Sequence, residues 1–133
     1  MAAAVLDTHT AIWYLLGSPE LPPSTLSLLR GATRDGEPLY LSSISVVEAI
    51  YLAEKARLPR LALDLLTEAL APSDASIVLV PLDLQIARAV ERIPRALIPD
   101  MPDRIIAATA LHLGLPLVTR DAKIQAAGVR TIW

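Results

Sequence analysis

The chain has 133 residues, 12 of them basic and 14 acidic, for a formal net charge of −2, and 53% of it is hydrophobic. That length supports one buried core but not two, so a single domain spanning 1–133 is expected. The lack of cysteine excludes disulfides, thiolate metal sites and cysteine nucleophiles, and polar residues interrupt every apolar stretch before it reaches the length of a membrane span.

In chain order, the first apolar run predicts a strand at about 2–6. It has no basic leader, and Asp7 and His9 fall where a signal peptide would stay apolar, which implies a cytoplasmic protein. Helical patterns follow at 8–16 and 24–33, then a strand at 39–42. A helix at 44–57 has Ser43 as its expected N-cap, and another helix covers 60–71. A strand at 77–80 precedes helices at 83–92 and 102–113, the second closed by Gly114. A strand at 115–119, a helix at 121–127 stopped by Gly128 and a strand at 129–132 complete the chain. Such alternation implies an α/β fold in which helices sandwich a parallel sheet and the ligand site lies beyond the carboxyl ends of the strands.

Four carboxylates belong at that edge or near it. Asp7 and Asp121 each follow a strand, Asp103 opens a helix, and Glu48 lies inside one. Each has a plainer reading. Asp7 and Asp121 can cap the helices that follow them, and Asp100 and Asp103 have the spacing of an N-cap and an N3 acid. Glu48 resists such a reading, because its neighbours Ile44, Ser45, Tyr51 and Leu52 form a mostly apolar stripe. A carboxylate there needs a metal or hydrogen bonds to offset its desolvation. Acids brought together repel one another, whereas Mg²⁺ or Mn²⁺ would neutralise them and could position a hydrolytic water on a phosphodiester.

The remaining polar residues carry less. Thr8 and Thr119 flank strand ends and could support the acids. Arg104 and Arg120 each adjoin an acid and could bind substrate phosphate. His9 is read as solvating the mouth of the site, and His112 as complementing a helix C-terminus. Trp13, Tyr14 and Tyr51 are read as core or interface. The isoelectric point of about 5.6 argues against nucleic acid, but Arg88, Arg92 and Arg95 have the spacing of a stripe near one helical face.

Val5-Leu6-Asp7-Thr8-His9, Ser45-Val46-Val47-Glu48, Asp100-Met101-Pro102-Asp103-Arg104-Ile105-Ile106-Ala107-Ala108-Thr109-Ala110 and Leu117-Val118-Thr119-Arg120-Asp121, in this order, resemble a PIN-domain ribonuclease. Within that group the chain looks like a VapC toxin of a type II toxin–antitoxin system. The resemblance implies a three-layer α/β/α sandwich, usually paired as a homodimer, and a Mg²⁺-dependent endoribonuclease acting on tRNA or rRNA. By resemblance, Asp7, Glu48 and Asp103 are the core metal-binding acids, Asp121 is the fourth, and Thr119 is a supporting hydroxyl. Pro102 stands where many relatives have an aromatic residue, a difference that touches loop shape more than chemistry.

Two other classes fit less well. A haloacid-dehalogenase-like phosphatase needs Thr or Val four residues after its first Asp, where this chain has Ala11, and a late acid pair that is missing beside Lys123. A catalytically inactive PIN-like scaffold or RNA-binding module has no need of all four acids. A mean hydropathy of +0.48 and the many apolar positions on 44–57 and 60–71 (Val46, Val47, Ile50, Leu52, Leu61, Leu63, Leu65, Leu66) exceed what one core-facing stripe uses. They predict an exposed groove for a partner helix, such as that of a small VapB-like antitoxin.

Overall fold

The computed structural model describes residues 3–133. The chain runs β1 (Ala4–Leu6), α1 (Thr8–Leu16), α2 (Pro23–Arg34), β2 (Leu39–Ser42), α3 (Ser43–Glu54), α4 (Arg60–Leu70), β3 (Ile77–Val80), α5 (Leu84–Ala89), a 3₁₀ turn (Val90–Arg92), α6 (Met101–Leu113), β4 (Leu117–Val118), α7 (Ala122–Ala126) and β5 (Thr131–Ile132). The first strand is shorter than the expected 2–6. Residue 2 lies outside the described residues, and pairing with β2 begins at Ala4.

All five strands are parallel, in the order β3-β2-β1-β4-β5. Parallel strands covered on both faces read as unbroken apolar runs, and β1 is fully buried along Ala4, Val5 and Leu6. Its alternate side chains enter different cores. Ala4 and Leu6 pack with Ala11, Leu29, Ala49 and Leu66 on the side of α1 to α4. Val5 packs with Ile93, Ile106, Ala110 and Ile124 on the side of α5 to α7. Two cores divided by one sheet make the expected three-layer α/β/α sandwich.

The order of the strands places the site. From β1 the chain builds outward to β2 and β3, then crosses back to add β4 and β5 on the other flank. The sheet therefore changes direction between β1 and β4, where their carboxyl ends diverge and leave a crevice. Asp7 leaves β1 and Asp121 follows β4 there. The helices that begin at that edge, α1 and α6, run away from it and are closed by short stops at the other end. Gly17 and Gly114 close α1 and α6 in the left-handed conformation, at φ 63° and 67°, which glycine adopts without steric cost.

Three local expectations need correction. The N-cap of α3 is Ser42, whose Oγ accepts from the Ile44 N–H at 3.2 Å, because the extended last residue of β2 serves as the cap. Ser43 Oγ instead accepts from the Leu82 N–H at 3.0 Å. The helix expected to reach 92 ends at Ala89 and tightens into the 3₁₀ turn, since Ile93 precedes Pro94 and is held extended. Arg95 thus lies past the helical turns, and the stripe expected from Arg88, Arg92 and Arg95 is broken. On α3 and α4, Val47, Ile50, Tyr51 and Leu61 are exposed, but Leu63 and Leu66 belong to the core, so the free apolar surface is narrower than the pattern suggested.

Candidate metal centre

Each acid reaches the crevice from a different element. Asp7 caps α1, with Oδ1 accepting from the Thr10 N–H at 2.8 Å, and its own N–H donates to the Val118 carbonyl of β4. Asp121 caps α7 through Oδ1 and the Lys123 N–H at 3.0 Å. Asp100 caps α6, with Oδ2 accepting from the Asp103 N–H at 3.1 Å. The capping reading is therefore correct for Asp7, Asp100 and Asp121. It does not compete with a role at the site, since a cap uses one carboxylate oxygen and leaves the other free.

Glu48 lies half-buried in α3. Thr8 Oγ1 hydrogen-bonds to Glu48 Oε1 and lies 2.9 Å from Ser45 Oγ. The Thr8 hydroxyl has one proton. Giving it to the carboxylate leaves Ser45 to donate to Thr8. Thr8 and Ser45 are both buried, so this relay answers the desolvation that Glu48 would otherwise suffer. On the other flank, Thr119 Oγ1 accepts from the Asp121 N–H at 3.1 Å and fixes the turn that presents Asp121.

Asp7, Glu48, Asp100, Asp103 and Asp121 line one cavity of about 300 Å³. Carboxylate oxygens of Glu48, Asp100 and Asp103 come within 4.8 Å of one another. Asp100 is a site acid that sequence reasoning assigned only to capping; the signal was its place at the cap of the helix whose first turn carries Asp103. Crowding shows in the acidity of Asp103. Burial, followed by the charges of Asp100, Glu48, Asp121 and Asp7, pushes its carboxyl from 3.8 up to about 7. Partial burial and like charge destabilise the same anion that a divalent cation would stabilise. With all-oxygen donors from carboxylates, the cavity suits a hard cation such as Mg²⁺ or Mn²⁺.

The two arginines separate. Arg120 lines the cavity. Arg104 does not: its Nε donates to the Ile93 carbonyl at 2.8 Å and its Nη2 to the Val90 carbonyl at 3.1 Å. The 3₁₀ turn folds back over the start of α6 and takes up the guanidinium, so the expected phosphate contact by Arg104 is replaced by a structural clamp. His9, which is exposed, and Trp13, which packs against the core on the side of α1 to α4, also line the cavity. Tyr51 is 59% exposed and borders a neighbouring groove of about 410 Å³ with Val47, Leu52 and Met101, next to Glu48 and Asp100.

Residues 4–129 match the PIN domain. The chain is 30% identical over 128 residues to "Ribonuclease VapC22" of Mycobacterium tuberculosis (strain ATCC 25618 / H37Rv), a match covering 94% of this chain and 92% of that protein. Among solved structures it resembles DNA-bound VapBC from Salmonella typhimurium, with 26% identity, a TM-score of 0.70, and coverage of 99% of this chain and 98% of that one. It also resembles FitAcB from Neisseria gonorrhoeae, with 27% identity, a TM-score of 0.67, and coverage of 98% and 96%.

Proposed function

The chain belongs to the PIN domain family, and on that premise we propose that it is a VapC-like toxin that hydrolyses phosphodiester bonds in RNA with the help of Mg²⁺. The observation that carries this reading is the convergence of five carboxylates in one cavity at the switch point of the sheet. A binding module without catalysis has no use for an arrangement that repels itself so strongly. Asp7, Glu48, Asp103 and Asp121 would hold the cation, with Asp100, whose carboxylate lies within 4.8 Å of those of Glu48 and Asp103, completing the acidic lining.

Bound there, a divalent cation would lower the pKa of a water and stabilise charge on the phosphate and on the leaving oxygen. The chain supplies the rest. The Thr8–Ser45 relay holds Glu48 in one orientation, the Asp100 cap holds the first turn of α6, and Thr119 holds Asp121. Positioning of this kind contributes through geometry fixed before the substrate arrives. Ionised Asp103 is the form that ligates, so cation binding and loss of its proton are coupled. The test is direct: purified protein incubated with tRNA or rRNA should cleave it with Mg²⁺ and not with EDTA. Intact RNA under both conditions would sink the reading.

A toxin needs a restraint, and the groove between α3 and the start of α6 offers a place for it. Its apolar lining suits one face of a partner helix, and Glu48 and Asp100 at its border would pair with a basic side chain on that helix. A small VapB-like antitoxin is the partner this implies. A homodimer is implied by the second apolar surface, where Val78 and Leu79 of the edge strand β3 are exposed with Leu82 and Leu84. No described helix is long and apolar enough to cross a membrane, and the reading places the protein in the cytoplasm with its RNA. Co-expression with the small open reading frame beside the gene should yield a complex with suppressed RNase activity, and light scattering of the free protein should give twice the chain mass.

A further inference from the structure

Beside its acids, the cavity has a wall of different chemistry. His9 and Trp13, one helical turn apart on α1, line it together with Arg120. Their rings lie 5.6 Å apart, tilted by 49°, and Trp13 meets Trp133 at 6.0 Å. The Arg120 guanidinium sits 4.8 Å from the Trp13 ring centre. Its Nη1 lies 3.6 Å from Glu20 in a pair whose two side chains are well exposed.

Cleaving a phosphodiester gives no reason for Trp13 in this wall, because an indole neither holds a hard cation nor contacts a phosphate strongly. A nucleobase does fit it. Aromatic rings and guanidinium planes take the π-face of any unstacked base, and His9 is exposed while Trp13 is half-buried, so ring surface remains open to the cavity. The backbone also sets the spacing: His9 is two residues from Asp7, and Arg120 adjoins Asp121. A group on the wall therefore lies next to a group on the acids. An exposed ion pair holds Arg120 weakly, which leaves it free to turn toward a phosphate.

We propose that His9, Trp13 and Arg120 form a subsite for the nucleotide adjoining the scissile phosphate, with the base stacked on the aromatic wall and Arg120 on the neighbouring phosphate. The proposal rests on the ribonuclease reading and deepens it, because such a subsite accepts unpaired RNA and excludes bases already stacked in a duplex.

The experiment compares binding of a short single-stranded RNA of mixed sequence with that of an abasic ribose–phosphate chain of equal length and charge. Binding is measured with Mg²⁺ in an Asp103→Asn background, where cleavage is blocked. The RNA should bind about 5- to 100-fold more tightly than the abasic chain. His9→Ala and Trp13→Ala should move that ratio toward one, Trp13→Phe should keep most of it, and Arg120→Gln should weaken both ligands alike. A purely structural wall would alter melting temperature without moving the ratio. His9→Ala, at an exposed position, keeps the test open if Trp13→Ala fails to fold. A ratio unchanged by His9→Ala, or already near one in the parent, overturns the subsite even where wild type cleaves RNA. Wild type that neither binds nor cleaves RNA overturns the ribonuclease reading as well.

Discussion

Thr8 and Glu48, 40 positions apart, are joined by a hydrogen bond that ties the first turn of α1 to the middle of α3. Thr8→Val keeps the shape of the side chain and removes its proton. Glu48 Oε1 then loses its donor, and Ser45 Oγ, fully buried, loses its acceptor. We expect a stability loss of about 1–3 kcal/mol and a fall in Mg²⁺ affinity or cleavage rate of about 10- to 100-fold. Thr8→Ser should restore most of both. Urea denaturation and Mg²⁺-dependent RNase assays on the three proteins check this, and a Thr8→Val protein with normal kinetics would remove Thr8 from the site.

Asp103→Asn should reduce RNA cleavage by at least about a hundredfold while leaving the fold intact, since the amide keeps the size of the acid without its charge. Asp7→Asn should act in the same direction. In the metal-free protein, Asp103→Asn relieves repulsion among five acids and should raise the melting temperature. Added Mg²⁺ or Mn²⁺ should then stabilise the variant less than wild type. Equal metal-induced shifts in both would count against a shared site at Asp103.

The pH dependence of metal-free stability follows from the same carboxyl. Its pKa is raised in the fold, from 3.8 to about 7, so the folded protein binds this proton more tightly than the unfolded chain. The contribution is fully present below about pH 4 and is lost as pH rises through about 7. Discounted for solvent screening, it amounts to roughly 1–3 kcal/mol. Metal-free wild type should therefore lose stability between pH 4 and 7 relative to Asp103→Asn. Parallel stability profiles for the two proteins would contradict the assignment.

Arg104→Ala tests the clamp. Both carbonyls that the guanidinium satisfies, on Val90 and Ile93, would lose a charged donor, at a cost of about 1–3 kcal/mol. Because Arg104 does not line the cavity, affinity for RNA at low temperature should stay near that of wild type. An affinity loss as large as that of Arg120→Gln would return Arg104 to the substrate face.

What the sequence discloses and what it hides divides by the range of the interaction involved. Strand and helix positions follow from local periodicity, and Asp7 and Asp121 can be placed at the sheet edge because each directly follows an apolar run. Glu48 stands out because its helical neighbours are apolar. Contacts made by chain that folds back do not show. Nothing beside Arg104 in sequence announces that the turn at 90–93 will cover the start of α6. Asp100 was concealed by its own success as a cap, a role that explains its position fully without mention of the cavity. The aromatic wall needs β4, whose end sets Arg120 against α1.

The strand order has one more consequence, in time rather than in space. Asp7 and Asp121 meet because β4 inserts beside β1, so the acids come from opposite ends of the chain. During synthesis the chain emerges N-terminus first, and until β4 has docked, the central strand lacks one neighbour and the cavity lacks one side. A nascent chain thus carries Asp7 and Glu48 without a nuclease centre to use them. Only when the last elements of the chain have emerged and β4 has docked do all five acids face one cavity.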